Sequence, residues 1–335
     1  NSSFWYNSQL FARENGNSSN PFSYKLDYET RIGEKMDLIL SSRHLDGVIL
    51  NKVGVTKNIN SSSLEIFAKS INRSTRSDVN YLIYRDLWSP AEWNNTLNLK
   101  WNKKIKHFNG QSNILVSTRG SYLWSSYNYA RINAEYKRTL SVNKFRVRTR
   151  AFVQYGVGNY APESKLMLAG GNNEEMMDNA LVRSIGIVPK EFEGYGNTFN
   201  HLHYKGGLNL RGYSGYTAIN ENDTRSYAIH SGTSGFAGNL EIDFSRYILP
   251  KTSFRGLKLN SYLFGDAGWL QNSTLGSGLR ADAGIGGSIT FMFNQRNYIK
   301  PITIRTDFPL FVNRIPAAED KYLDFRYLIG ISKAL

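Results

Sequence analysis

Apolar and polar side chains alternate through most of this chain at a period of two. In KFRVRTRAFV, residues 144–153, Phe145, Val147, Thr149, Ala151 and Val153 fall on one face, and Lys144, Arg146, Arg148 and Arg150 on the other. Successive side chains of an extended strand point to opposite faces, so this period predicts strand. NLEIDFSRY, residues 239–247, sets Leu240, Ile242 and Phe244 against Asn239, Glu241, Asp243 and Ser245. ITIRTDFPLF, residues 302–311, sets Ile302, Ile304, Thr306, Phe308 and Leu310 against Thr303, Arg305 and Asp307. Comparable runs occur at 22–30, 64–71, 80–88, 96–106, 113–124, 129–140, 257–268, 281–293 and 322–331.

Weaker runs at 4–12, 36–44 and 47–55, with one strand placed at ESKLMLAGG, residues 163–171, bring the expectation to about sixteen strands. A membrane-crossing strand takes roughly 9–11 residues, so sixteen use about half the chain. The fold class expected is all-β: one transmembrane antiparallel barrel over residues 1–335. Aromatic residues gather near the ends of the runs, at Trp88, Trp93, Trp101, Trp124, Tyr127, Tyr129, Trp269 and Tyr298, as interfacial girdles require. A soluble sandwich or propeller also alternates, but a propeller carries a segmental repeat that this sequence lacks.

Composition sharpens that expectation. No run of about 18 apolar residues is present, which removes a helical membrane protein but not a barrel, whose lumen-facing residues dilute the hydropathy. The chain has no cysteine, so disulfides, thiolate nucleophiles and cysteine metal sites are excluded. A formal net charge of +14 points to an anionic partner such as lipopolysaccharide headgroups or an acidic polypeptide. Nucleic acid is disfavoured, because the basic residues alternate with apolar ones along strands instead of clustering with stacking aromatics.

Between about residues 156 and 238 the alternation stops. Loops this long are usually functional. The segment holds GGNNEEMMDN at 170–179, HLHY at 201–204 and GGLNLRGYSGY at 206–216, with one arginine, Arg211, in a pliable setting. His201 and His203 have metal-ligand spacing on a strand, yet no third ligand stands at a matching distance in sequence, so no metal is assigned. Ser234 near His230 lacks an identifiable orienting acid, and no HExxH, GxSxG or P-loop pattern occurs, so no enzymatic role or cofactor is assigned.

GGLNLRGYSGY resembles the sixth-loop motif of the BamA-like barrel superfamily. The order downstream is similar as well: GNLEIDFSRY, then LNSYLFGDAGWL with Phe264, Asp266 and Gly268 in a Phe-x-Asp-x-Gly signature, then RADAGIGGSITFMF, ITIRTDFPLFV and LDFRYLIGISKAL. The resemblance covers about residues 206–335. It implies that the long loop folds into the barrel, where Arg211, flanked by Gly212 and Tyr213, is latched by an inward carboxylate. Asp266 is the matched partner, and alternation makes Glu241, Asp243 and Asp282 further candidates. A guanidinium in a partly dehydrated lumen needs a carboxylate of matching fork geometry. Gly212 is expected to allow a tight turn there.

Membership of that superfamily would imply insertion or translocation of polypeptides at the bacterial cell outer membrane, without a cofactor. The partners would be outer-membrane lipids, lipopolysaccharide, polypeptide substrates and accessory envelope subunits. The physical expectation is a poorly sealed seam between residues 4–12 and 323–335, where Gly330 weakens pairing. Two other readings stand beside it: a membrane anchor for a peptidase or patatin-like lipase encoded upstream, and a passive porin. A periplasmic or catalytic domain would then precede these residues. Lys144, Arg146, Arg148 and Arg150, with Lys100, Lys104 and Arg131, are expected to form a basic inner wall.

Overall fold

The computed structural model describes residues 2–8, 22–33, 35–45, 48–73, 92–122, 124–177, 201, 203–215, 217–219, 226–228, 230–248, 253–254, 256–271, 278–292, 301–315, 322–323 and 325–331. The alternating runs become antiparallel strands of one sheet. They are β1 (Ser2–Ser8), β2 (Phe22–Ile32), β3 (Met36–Leu45), β4 (Val48–Ile59), β5 (Ser62–Arg73), β6 (Trp93–His107) and β7 (Gly110–Ser121). There follow β8 (Asn128–Val142), β9 (Phe145–Asn159), β10 (Gly235–Asp243), β11 (Leu257–Leu270), β12 (Arg280–Phe291), β13 (Ile302–Val312) and β14 (Leu328–Ile331). Each pairs with its neighbours in chain order, β1 and β14 end the path, and the two-residue strand Ser253–Phe254 pairs with β11. The expected strand at 80–88, with Trp88, and also Tyr298 lie outside the described residues. The one expected at 163–171 reduces to Leu166–Met167, paired with Ser231–Gly232.

Burial is inverted relative to a protein folded in water. Leu97, Val153 and Leu263 are 54%, 50% and 51% exposed, whereas Arg150, Glu241, Asp266, Arg305 and Asp307 are buried. Charged residues are rarely buried and large contiguous apolar surfaces are rare on soluble monomers, so this inversion requires an apolar medium outside the sheet. The register aligns the polar face into cross-strand rows. One runs Lys104, Asn113, Lys137, Arg150, Asn239, Asp266, Asp282 over β6 to β12. Tyr129 belongs to this face too: it is buried, and its hydroxyl donates to Asn94 Oδ1 at 3.1 Å, so it is no part of an interfacial girdle.

Short turns close one end of the sheet, at residues 60–61, 108–109 and 143–144. Asn60 and Asn143 take positive φ there (51° and 54°), which asparagine tolerates better than most residues. Near the other end Pro309 sits at a register shift between β12 and β13, where its missing N–H does not interrupt the ladder. The long loop, residues 160–234, joins β9 to β10 from that same end. Two limbs of it lie on the polar face. The first, residues 160–177, carries a one-turn helix, Asn173–Met177. The second, residues 203–215, ends in a 3-10 turn, Arg211–Tyr213. The limbs pair with each other through Leu208 N to Met167 O and Leu210 N to Leu168 O, both 3.0 Å.

Among the described residues, contacts of the two limbs extend from Val48, Leu50 and Lys69 on β4 and β5 to Arg305 and Ile329 on β13 and β14. Segments this short reach from β4 to β14 only if the sheet curves around them.

Candidate functional site

Arg211 is fully buried, with two carboxylates around it. Its Nε donates to Asp266 Oδ2 at 2.7 Å, its Nη2 to Asp266 Oδ1 at 3.0 Å and its Nη1 to Glu241 Oε1 at 2.7 Å. Its backbone N–H also donates to Asp266 Oδ2, at 3.2 Å. The first two contacts form the fork that a guanidinium offers and an ammonium cannot. Burial alone would lower its pKa, but Asp266 and Glu241 outweigh that and hold it above the ordinary arginine value.

The Phe264, Asp266, Gly268 spacing acquires a physical meaning here. Asp266 supplies the fork. The Phe264 ring lies under the guanidinium, 4.0 Å from Cζ to the ring centroid, a cation–π contact in a dehydrated site. Gly268 leaves room for the second limb, since a Cβ there would stand 3.0 Å from Leu210 Cδ1 and 2.6 Å from Phe236 O.

Three expectations need correction. Gly212 does sit in a tight turn, the 3-10 turn Arg211–Tyr213, but not for glycine's backbone freedom: its φ is not among the positive ones, and what requires glycine is proximity, because a Cβ would meet Asp282 Cβ at 2.6 Å and Val312 Cγ2 at 2.9 Å. Asp282 therefore packs against the turn, and the guanidinium bonds to Asp266 and Glu241 instead. Asp243 does not reach Arg211 either. It accepts from Arg148 Nη2 at 3.3 Å, because the β9–β10 register sets Arg148 opposite Glu241, one step away. Tyr213 is buried as expected, in an apolar cluster with Leu166, Leu168, Leu208, Leu210, Leu270 and Val312, and its hydroxyl donates to the carbonyl of Asn313.

The first limb has a second anchor that sequence reasoning missed. Glu174 accepts from Arg119 Nη1 and Nη2, each at 2.7 Å, from Ser164 Oγ at 2.7 Å and from Lys69 Nζ at 2.5 Å. Burial opposes its ionisation, but Arg119 and Lys69 prevail and hold its pKa well below the usual 4.5. The loop is thus bipolar: one limb brings a carboxylate to cations of β5 and β7, the other a cation to carboxylates of β10 and β11.

The expected basic wall is only partly assembled. Arg148 and Arg150 lie on the polar face and are paired, Arg148 Nη1 to Glu241 at 3.0 Å and Arg150 Nε to Glu135 at 2.5 Å. Arg150 also holds the second limb, donating from Nη2 to Gly207 O at 2.7 Å. Arg146 shares their face, opposite Asp243. Lys144 does not: it occupies the turn before β9, with Nζ 5.1 Å from the Tyr247 ring centroid.

His201 and His203 bracket the edge of the last strand. His203 N donates to Ile329 O at 2.9 Å and Ile329 N to His201 O at 2.7 Å, the bonding of a parallel rung. The His201 ring stacks on Tyr327 at 4.0 Å, while His203 Nδ1 accepts from Arg305 Nη2, and a guanidinium in that place repels a cation. Gly330 makes room for that same Arg305, whose Cζ would stand 2.5 Å from an added Cβ, so close approach is the reason for the glycine. Ser234 Oγ bonds the backbone of Gly156, donating to its O at 3.2 Å and accepting from its N at 3.0 Å. The His230 ring stands perpendicular to that of Tyr213, 6.0 Å between centroids.

No family model matches the chain, and no curated protein matches it. Among solved structures it is similar to the crystal structure of BamA from Haemophilus ducreyi lacking POTRA domains 1–3, with 12% identity, a TM-score of 0.46, and coverage of 99% of this chain and 69% of that one. It is also similar to a bacterial polysaccharide outer membrane secretin, with 10% identity, a TM-score of 0.31, and coverage of 94% of this chain and 90% of that one.

Proposed function

We propose that the chain is a transmembrane β-barrel of the outer membrane, plugged by its long loop, that inserts polypeptides into that membrane or passes them through it. The apolar outer face and charged inner face support the membrane-spanning part, because such a distribution is stable only with lipid outside and water inside. Closure would bring β1 beside β14, the two ends of the path.

The observation that carries the polypeptide part is the state of the β14 edge. Ile329 turns its N–H and C=O away from β13, and residues 201 and 203 of the loop occupy both. Uncovered strand edges pair with other chains, and recognition by strand addition uses that property. Among the described residues the cover is one parallel rung, on a loop that is itself held by ion pairs. An incoming strand with several antiparallel bonds to offer would outcompete it.

The test is reconstitution. The full chain in liposomes, supplied with a urea-unfolded outer-membrane barrel protein, should accelerate its folding into the bilayer over empty liposomes, and Arg211→Ala, which loosens the loop that covers the edge, should change that acceleration. Steady ion conductance in a planar bilayer, with no acceleration and no dependence on Arg211, would make the protein a passive pore instead.

A further inference from the structure

The outer face of the sheet carries very little charge. Among the described residues of β2 to β13, Lys57, Lys103 and Arg138 alone bring a lysine or arginine to that face, and no carboxylate occupies it. Alternation fixes where they point: Lys57 follows Val53 and Val55, Lys103 follows Leu97 and Leu99, and Arg138 follows Ile132 and Tyr136, all of them exposed. The three stand near the same end of the sheet. Lys103 and Arg138 come five positions before the short turns at 108–109 and 143–144, and Lys57 comes three before the turn at 60–61.

Lys103 and Arg138 frame a polar patch on β6 to β8. The register sets Ile105, Ser112 and Arg138 in one cross-strand row and Lys103, Ile114 and Tyr136 in the next. Ser112 is buried there, with its Oγ 2.8 Å from His107 Nε2 and 3.2 Å from Tyr136 Oη. Those three satisfy one another. The side chains of Lys103 and Arg138 make no ion pair or hydrogen bond among the described residues, and Arg138 Nε is buried without a partner.

A cation on the lipid-facing wall of a barrel is costly at the bilayer midplane and costs little at the interface. At about 3.4 Å per residue and a tilt of about 45°, five residues set Lys103 and Arg138 roughly 12 Å from their turns, where acyl chains give way to headgroups. The anion at that depth is phospholipid phosphate. Strands β6 and β8 lie about 10 Å apart across β7, a gap that two long side chains close with one phosphate between them. A guanidinium and an ammonium together suit its oxygens.

We propose that Lys103 and Arg138 bind the phosphate of one anionic glycerophospholipid in the leaflet at the short-turn end, with His107 and Tyr136 beside the headgroup. Short turns mark the periplasmic end of an outer-membrane barrel. A zwitterionic headgroup would bring an ammonium to a wall that has no carboxylate to receive it, so phosphatidylglycerol is favoured over phosphatidylcholine. The site rests on the membrane-spanning part of the reading above and is independent of the polypeptide part.

Native mass spectrometry of the full chain released from detergent micelles, with phosphatidylglycerol or phosphatidylcholine added, tests it. The expected result is one phosphatidylglycerol retained at a collision energy that strips phosphatidylcholine. Its apparent affinity should fall about fivefold in Lys103→Gln and in Arg138→Gln, and hold in Lys35→Gln, which alters a turn lysine outside the patch. All three variants should keep the wild-type circular dichroism and the mobility shift on boiling, which separates a lost lipid from a lost fold. Side chains that only snorkel into water would be indifferent to the lipid. Equal retention of the two lipids by the wild-type chain would therefore overturn the proposal. So would affinity unchanged in both patch variants, an equal loss in Lys35→Gln, or preferential retention of lipid A. Flotation with liposomes separates the two readings: a chain that does not float refutes the membrane-spanning part, and one that floats without lipid preference loses this site alone.

Discussion

Glu174 and Arg119 meet in a two-pronged ion pair, both terminal nitrogens of the guanidinium lying 2.7 Å from the two carboxylate oxygens, on the other limb of the loop from Arg211. Removing one member of a buried pair leaves the other uncompensated, at a cost of roughly 3–5 kcal/mol. Glu174→Gln should therefore release the first limb and expose residues 160–177 to protease, while Arg211, 37 positions away in sequence, keeps the second limb in place. Limited proteolysis followed by mass spectrometry would locate the cut. Cleavage confined to the second limb would refute the division of labour.

The two anchors should also differ in what they tolerate. Arg211→Lys keeps the charge but cannot form the fork to Asp266 or lie flat on Phe264, so we expect it to recover only part of what Arg211→Ala loses. The measure is the temperature at which the mobility shift between unheated and boiled protein disappears. Equal values for Arg211→Lys and wild type would mean that charge alone holds the turn.

Gly212→Ala isolates the steric requirement from the electrostatic one. The added methyl would meet Asp282 Cβ at 2.6 Å and Val312 Cγ2 at 2.9 Å, and overpacking a filled site costs about 1–3 kcal/mol. The 3-10 turn would have to lift, taking Arg211 away from Asp266. A lowered transition temperature in this variant, with no charge altered, is the expected outcome.

Acid should release the first limb through Glu174. Its folded-state pKa lies below the unfolded value of 4.5, so the stabilisation is complete above about 4.5 and disappears as pH falls through the folded value. Protease protection of residues 160–177 should hold from neutral pH down to about 4.5 and then decline, and Glu174→Gln should flatten that dependence. A decline already complete at pH 6 would point to another group.

Strands were legible in this sequence because their period depends only on neighbours along the chain: Phe145 to Val153 and Leu240 to Phe244 declare both faces without any partner. Arg211 with Asp266 was legible through a motif resemblance, and the register then supplied the geometry. Glu174 was not, since its partners Lys69 and Arg119 lie 105 and 55 positions away and nothing in GGNNEEMMDN marks which carboxylate is buried. Asp243 departs from expectation for a related reason. Alternation gives the face a residue occupies but not which neighbour claims it, and here Arg148 on β9 did.

The last test concerns the covered edge of β14. Proline has no N–H, so His203→Pro removes the donor to Ile329 O and, through its ring, disfavours the rung that Ile329 N completes with His201 O. The side-chain contact with Arg305 is lost too, so His203→Ala, which loses that contact but keeps the N–H, is the control. If the rung restrains the edge, the proline variant should speed folding of an unfolded barrel protein beyond wild type, or else bind it longer, and the alanine variant should not. Amide hydrogen exchange at Ile329 gives an independent measure: protected in wild type and in His203→Ala, unprotected in His203→Pro. Equal exchange in all three would mean that the loop does not guard the strand.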